Sequence, residues 1–497
     1  MNERNEPKQS RVPACRIQDN SVEARAEGKY VLYWMTAARR THFNFGLERA
    51  VEWARHTKRP LVVLEALRVG YPHASDRLHA FILQGMADNA KTLQTHGITH
   101  LVYVERQKDE GKGLLETLAE DACVVITDEF PAFFLPRMLK AAQTKITKIR
   151  FESVDSNGLL PIHEPKRIFT TAFSFRAYLQ KNLLQHLQFR PLADPLLGDL
   201  PKAPKNLLSP ALLSRYPRAS EELLKAETKA LAELPIDHQV KVTRTAGGSL
   251  AAKERLTRFL RTSLMRYDEE RNDPDNQATS GLSPYLHFGH ISSHEIFAEI
   301  EKMERWGPEK TKKAGGKREG FWGMSPPTEA FLDQLITWRE IGLNMCVEMP
   351  EQYADYTSLP DWAKKTLAAH ANDKRSVLYT RDEMENAKTG DQVWNAAQRE
   401  LVREGRIHNY LRMLWGKRVL EWTQSPEEAV DVLIELNDKY ALDGRDPNSY
   451  SGIFWTFGRY DRPWGPERPV YGSVRYMSSA NTMKKLELER YLREYAR

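Results

Sequence analysis

The chain has 497 residues, 41% of them hydrophobic, with 73 Lys and Arg against 67 Asp and Glu for a net charge of +6. That length exceeds what one core usually serves, so two domains are expected, and the thin positive surplus permits a polyanionic partner without demanding one. Cys15, Cys123 and Cys346 are odd in number and fit neither a disulfide framework nor a zinc knuckle, and no apolar run approaches membrane-spanning length; a soluble chain in a reducing compartment, cytoplasm or nucleoid, is expected.

The polar first 28 residues lack a secretory core and read as a disordered tail. From residue 29 to 157, short apolar runs (Tyr30 to Met35, Pro60 to Leu67, His100 to Glu105, Ala122 to Asp128, Ile146 to Val154) alternate with helical stretches. That pattern predicts an α/β domain, a parallel Rossmann-like sheet wrapped by helices. Thr36-Ala37-Ala38-Arg39-Arg40 follows the first run in place of G-x-G-x-x-G, so an ordinary dinucleotide site there is unsupported. Residues 158–248 gather prolines (Pro191, Pro195, Pro201, Pro204, Pro210) and predict a connection hugging the surface. Residues 249–497 carry helical periodicity and predict an all-α domain. In it Gly405 ends one helix, and Ser425-Pro426-Glu427-Glu428 opens another as cap, first-turn proline and dipole-matched acids.

Inside the helical half, Glu309 to Arg318 is a charged, glycine-containing stretch, read as a solvated loop rather than a dedicated DNA clamp. His287, His290 and His294 lack the spacing of a zinc helix and any accompanying acid or thiolate, so no metal site is expected. Trp415 and Trp422 are seven apart on one helical face, with Trp394 a helix earlier. On spacing alone they are core residues. Arg412 on the same helix requires a carboxylate, which the turn Asp443-Gly444-Arg445-Asp446-Pro447-Asn448 offers in Asp443. Such a pair suits the polar edge of a flavin ring. Further on, Tyr450, Phe454, Trp455, Phe457, Tyr460 and Trp464 are interleaved with Arg459, Arg462, Arg468 and Arg475 in a Gly/Pro-broken segment, which suits equally stacking on an unpaired base beside its phosphates and a loop-covered structural core.

The motifs Tyr267-Asp268-Glu269-Glu270-Arg271-Asn272-Asp273-Pro274, Leu282-Ser283-Pro284-Tyr285-Leu286-His287-Phe288-Gly289, Trp394-Asn395-Ala396-Ala397-Gln398 and the Asp443 turn together resemble the class II cyclobutane pyrimidine dimer photolyases, within the photolyase and cryptochrome family. The resemblance implies an α/β antenna-type domain, followed by a helical domain that holds bent FAD. It allows a second antenna chromophore of the 8-hydroxy-5-deazaflavin type. It gives Tyr267, Thr279, Ser280, Gly281, Leu282 and Ser283 to the cofactor's phosphate and ribityl side, where hydroxyls and backbone N–H groups bind an anion. Arg339, Asn344, Arg412, Asp443 and Gly444 would line the flavin, with Asn437 near its N5 edge. Trp422, Trp394 and Trp415 would relay electrons, in that order from flavin to surface.

The implied activity is a carbon–carbon lyase reaction: a fused pyrimidine pair is flipped out of damaged double-stranded DNA and split by an electron from excited reduced FAD. The implied enzyme is a monomer without membrane attachment. Arg271 and Asn272 would face the lesion or fill the vacated duplex, Trp338, Met413 and Trp455 would line the pocket, and Arg462, Trp464 and Arg475 would contact the DNA. One departure stands out. Gln334 occupies the place of the family's pocket glutamate, and an amide reads the thymine edge without the proton adjustment a carboxyl offers. The alternatives are an altered lesion preference or a cryptochrome-like blue-light receptor. A signalling role calls for an added C-terminal segment, whereas the sequence stops soon after Tyr491.

Overall fold

The computed structural model describes Pro7 and residues 10–496. The chain divides into two units: Met1–Glu164 with Leu183–Arg255 and Leu282–Glu299, and Pro165–Asn182 with Leu256–Gly281 and Ile300–Arg497. The strands of the first are β1 (Ile17–Asp19), β2 (Tyr30–Met35), β3 (Leu61–Leu67), β4 (Thr99–Val104), β5 (Ala122–Glu129) and β6 (Arg150–Asp155), in the order β1-β6-β5-β2-β3-β4. All neighbours are parallel except β1, antiparallel on the β6 edge. Val31, Tyr33 and Met35 enter one core cluster and Tyr30, Leu32 and Trp34 another, so both faces of β2 are covered and its sequence is apolar throughout. Helix α1 (Phe45–Thr57) starts where Asn44 accepts from the Leu47 N–H, and α2 (Asp76–Thr95), α3 (Leu114–Glu120) and α4 (Leu135–Lys145) follow β3, β4 and β5 in the chain.

The loop between β2 and α1 explains the missing glycine fingerprint. Its N–H groups at Thr36, Ala37 and Ala38 all donate to Asp128 Oδ2, at 2.8, 2.8 and 2.9 Å, and Tyr33 donates to Oδ1 at 2.6 Å. The cradle that would receive a phosphate is occupied by the protein's own carboxylate.

Three expected boundaries differ. Residues 10–28 of the expected tail are ordered: β1 pairs with β6, and buried Arg16 bonds Asp155 Oδ2 at 2.9 Å and the carbonyls of Gly158 and Leu159 at 3.1 and 2.7 Å. Composition hid this, because the anchor is polar. Of the rest of that tail, all but Pro7 lies outside the described residues. The expected connection, 158–248, contains α5 (Ala172–His186) and gives Leu208, Tyr216, Leu223, Leu231 and Leu234 to the first unit's core. Leu282–Glu299 joins the first unit, not the helical one, because two glycines permit close approach. A Cβ at Gly85 would lie 2.3 Å from His290 Nε2, and one at Gly289 (φ +71) would lie 1.8 Å from the Ala37 carbonyl oxygen. Burial lowers the His290 pKa to about 3 and also pushes His294 down, so both are neutral core histidines.

The second unit is built from helices: α6 (Pro326–Leu332), a π turn (Asp333–Trp338), α7 (Arg339–Glu348), α8 (Gln392–Glu404), α9 (Asn409–Trp422), α10 (Pro426–Tyr440) and α11 (Pro447–Trp455). Gly405 ends α8 at φ 70, and Ser425 Oγ caps α10 by accepting from Glu428 N at 3.1 Å. Trp394, Trp415, Trp422, Leu433 and Phe454 share its core. No helix of the described residues is long and apolar enough to cross a membrane.

Candidate active site

The expected pocket segment is the π turn between α6 and α7. A π turn closes residue i to i+5, so positions four apart stay near one face. Gln334 and Trp338 are such a pair, and they alone are half-exposed within Asp333–Trp338. Asp333 is buried and fixed by Arg176 of α5, whose Nε and Nη2 meet its two oxygens at 2.7 and 3.1 Å. Tyr267 packs edge-on to Phe331 of α6 at 5.4 Å, and the Arg271 guanidinium lies 5.5 Å from the Tyr267 ring. The structure thus brings Tyr267, Arg271, Gln334 and Trp338 to one region. Asn272 is half-buried on the adjoining turn.

Arg412 of α9 and Asp443 pair at 2.9 Å, with 21% and 14% of their side chains exposed. The expected partner is present, but the pair is half-open rather than buried. The turn that carries Asp443 is organised by Asp438 of α10, a residue the sequence reading missed. Its Oδ1 accepts from Arg445 N at 2.9 Å, Oδ2 accepts from Tyr450 at 3.1 Å, and its carbonyl accepts from the Arg445 guanidinium. Gly444 serves this packing, since a Cβ there would lie 2.8 Å from the Asn437 carbonyl oxygen. Asn437 is buried and donates through Nδ2 to Ser449 Oγ at 2.7 Å, which turns its Oδ1 to the opposite side. Arg339 is buried at the start of α7.

Asn344 also bonds the backbone. Its Nδ2 donates to the Arg167 carbonyl at 3.0 Å and its Oδ1 accepts from Phe169 N at 3.3 Å, so the amide is committed to backbone and holds 167–169 in place. Thr279 and Ser280 precede Gly281 at φ +65, a left-handed position that lets successive N–H groups converge. Leu282 and Ser283 fall in the first unit. Thr279 also borders a shallow cleft lined by Glu400, Arg406, His408 and Tyr491. The donors of Arg412 and Arg339, the Asp443 carboxylate and the oriented Asn437 amide are the groups that a flavin's carbonyls and ring N–H positions require, so the residues present fit FAD.

The three tryptophans are buried and touch in series. Trp394 stacks on Trp415 at 6.4 Å with 9° between planes and meets Trp422 edge-on at 5.3 Å. Asp391 sets Trp394 by capping α8, accepting from Val393 N and Trp394 N at 3.1 Å each. Trp394 Nε1 donates to the Trp415 carbonyl at 3.0 Å, and Trp415 Nε1 to Gln398 at 2.9 Å. Trp415 is three residues from Arg412, whereas Trp422 lies about 10.5 Å further along α9, where half-buried Tyr379 meets it at 5.1 Å and Arg418 at 4.7 Å. Trp394 lies between the other two, and Trp415 is the nearer of the pair to Arg412 along α9.

The aromatic and arginine segment is assembled rather than loose. Trp464 lies between Arg462 at 4.6 Å and Arg475 at 3.9 Å, and Arg475 also approaches Trp455 at 5.5 Å. Asp461 accepts from Trp464 Nε1 at 3.0 Å and pairs with Arg475 at 3.6 Å. Met413 and Trp455 are half-buried where α9 meets the end of α11, and the missing side chain of Gly416 allows that approach, since a Cβ would lie 2.4 Å from Thr456 Cγ2.

Sequence reading missed Lys417 here. It is fully buried, donates to the Thr456 carbonyl and lies 5.2 Å from the Trp455 ring. Burial pulls its pKa from 10.5 to about 7; Arg475 pushes the same way and Asp461 opposes. The folded chain then binds fewer protons than the unfolded one between those values, so this group makes stability rise with pH from about 7 to 10.5. A Lys417→Met variant should lose that rise: its stability relative to the parent declines by on the order of 3 kcal/mol between pH 7 and 10. Denaturant melts at both pH values check this, and parallel pH profiles would contradict it.

Comparison with known proteins completes the description. The DNA photolyase family matches residues 31–196. The deoxyribodipyrimidine photo-lyase of Methanothermobacter thermautotrophicus is 32% identical over 483 residues, spanning 97% of this chain and 98% of its own. Its namesake from Oryza sativa is 32% identical across 94% of this chain and 87% of its own, and that from Potorous tridactylus 28% identical across 97% and 82%. The crystal structure of a bacterial class III photolyase from Agrobacterium tumefaciens matches with a TM-score of 0.66 at 19% identity, over 96% of this chain and 88% of that one, which is a likeness of fold. With a relative of such identity matched almost end to end, the chain belongs to the photolyase and cryptochrome family.

Proposed function

We propose that the chain is a light-driven DNA lyase of the class II type that splits cyclobutane pyrimidine dimers in damaged duplex DNA. The observation that carries this reading is the file Trp422–Trp394–Trp415, which ends one helical turn from the Arg412–Asp443 pair. Bound FAD supplies, when reduced and excited, the electron that opens the cyclobutane ring. The chain's own residues do the rest. Arg412 and Asp443 orient the ring edge, and the Asn437 amide offers its N5 side an acceptor. Trp415 hands electrons inward from Trp394 and Trp422, with the half-exposed Tyr379 end as the entry from solvent.

On this reading Gln334 and Trp338 form one wall of the lesion pocket, and Met413 and Trp455 the other. Arg271 and Asn272 fill or flank the gap left by the flipped bases, and Arg462, Trp464 and Arg475 hold the backbone and an unpaired base. Gln334 reads the thymine edge with one donor and one acceptor but cannot offer a proton to developing negative charge. Gln334→Glu should therefore raise repair per absorbed photon roughly threefold to tenfold, equivalent to about 1 kcal/mol, and introduce a loss of yield as the carboxyl ionises at higher pH. Dimer loss on illumination of the reduced protein across pH measures this. An unchanged yield and pH profile would remove Gln334 from the lesion pocket.

A further inference from the structure

The basic stretch from Lys310 to Arg318 holds five cationic residues in nine and, from its composition, reads as a solvated loop. Its backbone is instead tied down. Gln180 accepts from Gly315 N at 3.0 Å and Gly316 N at 2.7 Å, and donates to the Lys317 carbonyl at 2.8 Å. Lys312 N donates to the Phe321 carbonyl at 2.8 Å, and buried Glu329 accepts from Gly320, Gly323 and Met324. Gly316, at φ +71, sits against Phe173, where a Cβ would be 3.0 Å from the ring. While the backbone is fixed, Lys312, Lys313 and Lys317 are exposed and form no ion pair among the described residues.

Holding like charges together in a fixed loop costs self-repulsion and returns nothing to the fold; a polyanion converts that cost into affinity. The loop is also tied to the candidate pocket. Arg176 donates to the Gly316 carbonyl at 3.3 Å with Nη1 while its other nitrogens grip Asp333, the neighbour of Gln334. We infer that this loop is a preformed clamp on the phosphates of the duplex flanking the lesion, with Lys312, Lys313 and Lys317 as its contacts. The inference rests on the DNA-repair reading above and adds a binding surface to it.

The test replaces the three lysines with glutamine in the full FAD-loaded chain, with a triple Lys→Arg variant beside it. Affinity for a dimer-bearing duplex is measured against salt. The slope of log affinity on log salt should fall by about 2 to 3 in the glutamine variant, return in the arginine variant, and leave dimer splitting at saturating DNA unchanged. An unchanged slope, with normal repair, would overturn the clamp and leave the repair reading standing. A fall in splitting at saturating DNA would equally overturn it, since the loop would then act through the pocket. Failure of the parent protein to bind any duplex would overturn both.

Discussion

Trp394→Phe is expected to lose light-driven reduction of its bound flavin by roughly two orders of magnitude or more, the change that about 3 kcal/mol of added barrier produces. Trp394 is the only one of the three indoles in contact with both others, at 6.4 and 5.3 Å. A phenyl ring in its place preserves much of the packing but holds its electrons too tightly to serve as a link. Trp415→Phe should have the same effect. Trp422→Phe should keep the first fast step and lose the lasting product, because charge stranded on Trp394 returns before Tyr379 and solvent supply an electron. Transient absorption separates these outcomes. Each variant should still repair when reduced chemically. Full photoreduction in Trp394→Phe would refute the relay, and a lost first step in Trp422→Phe would restore the opposite direction.

Arg412→Ala should weaken FAD retention about a hundredfold, equal to roughly 2.7 kcal/mol. Truncation removes the guanidinium donors and leaves Asp443, only 14% exposed, without its 2.9 Å partner. Arg412→Lys should recover only part of the loss, because an ammonium lacks the planar fork. The FAD-to-protein ratio after dialysis, with circular dichroism to confirm folding, measures the effect. Stoichiometric FAD in the alanine variant would place the cofactor elsewhere.

How far the sequence carried these conclusions varied with the physics involved. Strands β2 to β5 were legible because burial on both faces makes them largely apolar runs, and α8 and α10 because caps and periodicity agree. The ordered segment before Tyr30 was not, because one buried arginine, Arg16, secures it. Prolines made 158–248 look like a surface connection, although Tyr216 and Leu231 are core residues. At the site, seven-residue spacing placed Trp415 and Trp422 on one face but carried no direction. Asp438, Lys417 and Arg176 had no motif to betray them. Their roles come from partners far away in sequence, such as Arg176 with Asp333. Nor did the sequence show that Asn344 bonds the backbone of Arg167 and Phe169.

The most direct measurement is dimer content before and after light. The purified chain, loaded with FAD and chemically reduced, is mixed with a duplex oligonucleotide carrying one cyclobutane thymine dimer and illuminated with blue light, and the strands are resolved by chromatography against a dark control. The account predicts intact thymines that accumulate only in light, over repeated turnovers and with no net consumption of reductant. Unchanged dimer, with reduced FAD demonstrably bound, would contradict it.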